Sequence, residues 1–138
     1  MEKLKRKLEV AKKALNTLEE ILNVEPSKIV RDATIQRFEY TFEAIWKLLK
    51  EYLFYKEGMV CNSPESCFRE ALSVGLLTEE ETASFLQMTD DRNLTSHTYD
   101  EEIAEHLYKR VRNHFELMLT LFKRINKNLK GGGVKWRK

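Results

Sequence analysis

The chain has 138 residues, 42% of them hydrophobic, which suffices for one helical core and a single domain. Its 24 basic and 22 acidic side chains nearly cancel to a formal charge of +2. That excludes a global field strong enough to argue for nucleic acid, so any RNA or nucleotide contact must be local.

Residues 1–13 interleave Lys and Glu with single aliphatics and carry no apolar run of the signal-peptide kind. No later stretch is long and apolar enough to span a bilayer, so the expectation is a cytoplasmic chain with no membrane partner. The five glycines and two prolines fall at boundaries and leave long segments with a 3.6-residue apolar period. The expected fold is all-α, an antiparallel up-and-down bundle of four long helices plus a short one.

The first helix is expected over about residues 3–22, with Leu4, Leu8, Ala11, Leu15, Leu18 and Leu22 at spacings of three and four. The second spans about residues 28–56, where Ile35, Phe38, Phe42, Ile45, Trp46, Leu49 and Leu53 share a narrow arc that reads as core. Gly58 stops it. A loop with Cys61 leads to Ser63-Pro64, an N-cap followed by proline at the first helical position, and Gly75 closes the short third helix. Cys61 and Cys67 are expected as reduced thiols, because the chain shows no export signal. No second Cys/His pair sits at ligand spacing, so neither metal nor cofactor is expected.

Thr78 with Glu79, Glu80 and Glu81 makes a capping-box start for a fourth helix reaching about Arg92. Asp100 caps the last, whose stripe of Ile103, Leu107, Val111, Phe115, Met118, Leu121, Phe122 and Ile125 runs to about Leu129, ahead of three glycines. Residues 1–130 are thus read as one domain and residues 131–138 as a flexible basic tail, Trp136 included. Two helices of about 28 residues exceed what one small bundle needs to cover itself, which favours a homodimer.

Between the fourth and fifth helices Arg92, His97 and Tyr99 fall within eight residues, expected at a turn rather than in a helix interior. An arginine that stays protonated, an imidazole and a phenol form a kit for phosphate chemistry. RNA supplies its own 2′-hydroxyl nucleophile, so a base and an anion holder suffice without metal. On spacing alone the plainer reading is favoured: Arg92 neutralises a helix C-terminus, His97 lies on the surface and Tyr99 packs the fifth helix.

The run Arg92-Asn93-Leu94-Thr95-Ser96-His97-Thr98-Tyr99-Asp100 resembles the signature of the HEPN superfamily, in the branch called HepT or nucleotidyltransferase substrate-binding protein. Arg31 to Glu43 with Trp46-Lys47, and Ser63-Pro64 to Ala71 with Gly75-Leu76, resemble that branch's second and third helices. The resemblance implies a HEPN-like homodimer and a companion minimal nucleotidyltransferase. Asp90-Asp91 has neither the spacing nor the glycine context of that enzyme's own metal site. It further implies a metal-independent RNase toxin of a type VII-like toxin–antitoxin pair, with Arg92 and His97 catalytic in a shared dimer cleft and Asn93 positioning phosphate. Tyr99 would be the residue silenced by AMPylation.

Asp32, Gln36, Glu39 and Glu43 recur at steps of four, three and four, a polar line beside the aromatic seam of the second helix. It reads either as supporting carboxylates for Arg92 or His97, or as a solvated flank with pairs such as Glu43 with Lys47. His114 reads as a core or interface histidine, and the aromatic stripe as core. Two alternatives to a nuclease are a non-catalytic subunit that binds substrate or nucleotide for a two-component nucleotidyltransferase, and a structural dimeric scaffold.

Overall fold

The computed structural model describes residues 1–129, so the expected tail and its glycine stop lie outside the described residues. Five helices follow in order: α1 (Glu2–Leu22), α2 (Lys28–Glu57), α3 (Pro64–Ser73), α4 (Glu79–Leu94) and α5 (Glu101–Lys127). A single 3-10 turn, Thr95–His97, lies between the last two. No strand occurs among the described residues, and no helix there is long and apolar enough to cross a membrane.

Local chemistry sets the boundaries. Ser27 accepts from the Val30 amide to start α2, and Gly58, at φ 67°, turns the chain out of it. Ser63 and Ser66 cap α3 reciprocally, as Thr78 and Glu81 cap α4; each such cap is worth about 1 kcal/mol.

The long helices run up and down. Thr41 donates to the Ala14 carbonyl at 3.2 Å and Lys3 pairs with Glu51 at 3.2 Å, so α1 and α2 are antiparallel. Arg31 bonds Glu101 and Asn128 donates to Tyr52, which makes α2 and α5 parallel, whereas Glu81–Arg124 and Asp91–Arg110 make α4 antiparallel to α5. The central α2 therefore contacts every other helix, while α1 touches only α2 and α5. One core fills the bundle, including Leu8, Leu15, Phe38, Phe42, Phe68, Phe85 and Phe122, all fully buried. Trp46, expected in that core, is only half-buried at its edge.

The cysteines correct the expectation of free thiols. Cys61 and Cys67 form a disulfide, and both are buried. The chain leaves Gly58 and doubles back through Ser63-Pro64, which brings a loop cysteine to a Cα–Cα separation of 5.3 Å from one on α3. A spacing of six residues through an irregular loop carries no periodic signal from which this approach could be read.

Candidate functional site

The candidate site sits where α4 ends. Arg92 is not in a turn: α4 continues to Leu94, because Leu94 packs against a small apolar cluster of Ile35, Ala104 and Leu107. The Thr95 hydroxyl donates to the Arg92 carbonyl at 2.7 Å, covering a C-terminal acceptor as the helix tightens into the 3-10 turn. Asp100 then accepts from the amides of Glu102 and Ile103 and opens α5.

Arg92 is held on three sides. Its Nη1 bonds Glu43 Oε2, its Nε donates to Asn93 Oδ1 at 3.1 Å, and its guanidinium carbon stands 4.9 Å above the Phe42 ring. Glu43 is fixed in turn: Trp46 Nε1 donates to Oε1 at 3.2 Å and Lys47 Nζ lies 3.7 Å from the same oxygen. The result is a planar cation on an aromatic face, with one edge engaged by carboxylate and its remaining donors partly open to water.

Beyond the end of α4, His97 Nδ1 lies 3.1 Å from the Tyr99 hydroxyl, and the rings meet edge to face at 5.8 Å. Both are exposed, Tyr99 at 82% of its surface. The Nε2 of His97 makes no hydrogen bond among the described residues. No hydrogen bond or ring contact among the described residues joins the His97 pair to Arg92, so the motif forms two neighbouring stations.

The polar line on α2 divides. Glu43 reaches Arg92, whereas Asp32 accepts from Arg31 at 2.9 Å. Gln36 and Glu39 are exposed, and their side chains make no hydrogen bond among the described residues. Arg31 also donates to Glu101 and Glu105 at 2.8 and 2.9 Å and so ties the start of α2 to the start of α5. These bonds hold the Arg31 guanidinium well above its ordinary pKa and the Glu101 carboxyl below its own.

Sequence reasoning missed the neighbour of the motif arginine. Asp91, 2% exposed, accepts from Arg110 Nε and Nη2 at 2.9 Å each, and His114 Nε2 lies 2.7 Å from its Oδ2. Burial raises its pKa, but the bonds to His114 and Arg110 outweigh that and hold the carboxyl below its ordinary value. His114 also stacks on Phe38 at 5.2 Å. The signal was available as Arg110 and His114 one turn apart on α5, with one face toward an acid in the last turn of α4.

One relative is similar in sequence and two solved structures are similar in fold. A chain from Haemophilus influenzae named "Probable ribonuclease HepT" is 32% identical over 97 residues, and this chain spans 64% of its length. A crystal structure from Thermus thermophilus superposes with a TM-score of 0.80 at 48% identity, covering 83% of this chain and 98% of that one. A tri-AMPylated HEPN toxin of Shewanella oneidensis, solved in complex with an MNT antitoxin, shares the fold at a TM-score of 0.73 and 16% identity, over 91% and 97% of the two chains. The profile of one family, described as "Nucleotidyltransferase substrate binding protein like", matches residues 6–130. With nearly the whole chain matched, the protein belongs to the nucleotidyltransferase substrate-binding protein-like family.

Proposed function

We propose that the protein is the HepT-like partner of a minimal nucleotidyltransferase, that its dimer cleaves RNA without metal, and that AMPylation of Tyr99 silences it. The observation that carries this reading is the pair of stations on one short stretch: Arg92 held on Phe42, and His97 with a free Nε2 beside the Tyr99 hydroxyl. Support comes also from the curated relative's name and from the AMPylated state of the Shewanella toxin.

In this reading Arg92 takes the non-bridging oxygens of a phosphodiester, which gain charge as the reaction proceeds. His97 Nε2 removes the 2′-hydroxyl proton, the 2′-oxygen attacks phosphorus, and the P–O5′ bond breaks; the 5′-oxygen takes a proton from water or from the His97 imidazolium and departs as the alcohol, leaving a cyclic phosphate. Because the two stations do not touch in one protomer, a homodimer completes the cleft, with Asn93 helping to set Arg92. For silencing, the Tyr99 phenol attacks the α-phosphorus of ATP and pyrophosphate leaves. With Nε2 as the base, His97 Nδ1–H donates to the Tyr99 oxygen; the adduct turns that hydroxyl into a phosphate ester, a poorer acceptor, and places a bulky anion beside the cleft.

The Arg92–Glu43 pair favours a second reading in one respect. A guanidinium already engaged by carboxylate suits holding a phosphate ligand in exchange, as a non-catalytic subunit binding substrate or nucleotide for the nucleotidyltransferase would. One experiment separates the two: RNA incubated in chelator with wild type and with His97→Ala, and analysed for cyclic-phosphate ends. Wild-type cleavage lost in His97→Ala supports the nuclease, and equal inertness of both folded proteins removes it. Mass spectrometry after mixing with the cognate nucleotidyltransferase and ATP tests Tyr99, where an unmodified Tyr99 would count against silencing by AMP.

A further inference from the structure

Beside Glu43, α1 and α2 line a groove of about 370 Å³. Its walls are basic: Lys3, Arg6 and Lys7 from α1 and Lys47 from α2. Residues 1–13 hold six basic and two acidic side chains, against a formal charge of only +2 for the whole chain, so positive charge is concentrated on the first half of this helix. Lys3 is matched by Glu51 and Lys47 by Glu43. Arg6 and Lys7 form no ion pair among the described residues, so the groove has unspent positive charge.

The floor has a different chemistry. Val10 is 52% exposed, and the Tyr40 ring forms one wall with its hydroxyl 2.5 Å from Thr17 Oγ1. That bond fixes an exposed aromatic face in place. Unmatched cations above a fixed aromatic and an aliphatic surface suit a nucleotide, whose phosphates and base separate in the same way. The groove also adjoins Arg92 through a single carboxylate, because Glu43 lines it and binds that guanidinium.

We infer that the α1/α2 groove is a subsite for single-stranded RNA, in which Arg6 and Lys7 take backbone phosphates and Tyr40 stacks on a base, leading the strand to Arg92. The inference rests on the RNA-handling reading above. Continuity with Arg92 favours RNA over an acidic polypeptide, for which a tyrosine-walled slot beside a phosphate station has no particular use.

The test measures binding apart from cleavage. Fluorescence anisotropy with a labelled mixed-sequence RNA of about 20 nucleotides would use the His97→Ala protein as parent. Arg6→Glu with Lys7→Glu should raise Kd roughly tenfold and flatten the salt slope by about 1.4, the share of two phosphate contacts on a single strand. Arg69→Glu with Lys127→Glu changes the charge equally but lies on α3 and the far end of α5; it should stay within about twofold. If charge reversal unfolds the chain by circular dichroism, Arg6→Gln with Lys7→Gln should show a smaller loss in the same direction.

Groove variants that bind like the parent overturn the inference and leave the nuclease reading standing. Binding lost only in the groove variants, with wild type unable to cleave, supports the groove and removes the nuclease. A wild type that binds no RNA overturns both. Groove variants that keep RNA but lose the cognate nucleotidyltransferase mark a protein interface and overturn the RNA subsite.

Discussion

Replacing Asp91 by asparagine should destabilise the fold by about 3 kcal/mol, although the side chain keeps its shape. Both carboxylate oxygens are committed, Oδ1 to Arg110 and Oδ2 to Arg110 and His114. Asparagine offers one oxygen and no charge, so one guanidinium bond is lost and a cation is left without its counterion. Breaking a buried pair costs roughly 3–5 kcal/mol, and the lower end applies because the Arg110 side chain is 32% exposed and water takes part of its charge. For a domain of this length that is a fall of about 10 °C in melting temperature, readable by calorimetry. The wild-type advantage also depends on pH. The Asp91 pKa is lowered in the fold, so its contribution is complete above the unfolded carboxylate pKa and is lost as pH falls through the folded one. A double-mutant cycle with Arg110→Gln should return a coupling of about 2 kcal/mol. A melting temperature within about 3 °C of wild type for Asp91→Asn would refute the claim that this buried carboxylate holds α4 to α5.

Other outcomes follow from the same contacts. Arg124 grips both oxygens of Glu81 and, against the cost of burial and with help from the Thr78 amide, holds that carboxyl at about 2 instead of 4.5. Its stabilisation is therefore full above 4.5 and lost as pH falls toward 2. Wild type should lose on the order of 1–2 kcal/mol more than Glu81→Gln over that range in urea titrations, a figure discounted for the exposure of Arg124. Reducing the Cys61–Cys67 disulfide, which closes a loop of six residues' separation, should cost about 2 kcal/mol and lower the melting temperature by about 5 °C or more. Arg31→Met should speed amide exchange at the start of α5, where Arg31 binds Glu101 and Glu105, and leave the far ends of both helices unchanged in hydrogen-exchange mass spectrometry.

α1 was legible from its apolar period alone, and the later helices carried punctuation as well. Ser63 with Pro64, Thr78 with Glu81, and Asp100 all cap helices in the structure, and Gly58 and Gly75 turn the chain with positive φ at the stops their sequence positions suggest. The end of α4 was misplaced because no breaker follows Arg92, and the fate of Leu94 is decided by a cluster from α2 and α5 that no local window contains. Glu43 stood out from Asp32, Gln36 and Glu39 only in three dimensions. All four occupy related positions on one helix, but only Glu43 lies at the level where α4 delivers Arg92. Asp91 was hidden for the same reason, since its partners are 19 and 23 residues away.

The last turn of α4 shows why a short motif needs a whole bundle. Asp91, Arg92 and Asn93 are consecutive, so a helix sends them out at steps of about 100°. Asp91 points into the α4/α5 seam and is buried, Arg92 turns to α2 and rests on Phe42 and Glu43, and Asn93 faces solvent with its amide oxygen on Arg92 Nε. The rotation of α4 about its axis is thus set on one side by a charge pair with α5 and read out on the other as the position of a guanidinium. Arg92→Lys keeps the charge and the helix but loses the planar fork that spans Asn93 and Glu43. Under the nuclease reading its RNA cleavage should fall by about a hundredfold or more while its melting temperature stays within a few degrees of wild type. Full activity in Arg92→Lys would mean that charge alone is needed at this position, and the aromatic seat and carboxylate edge would then have no catalytic purpose.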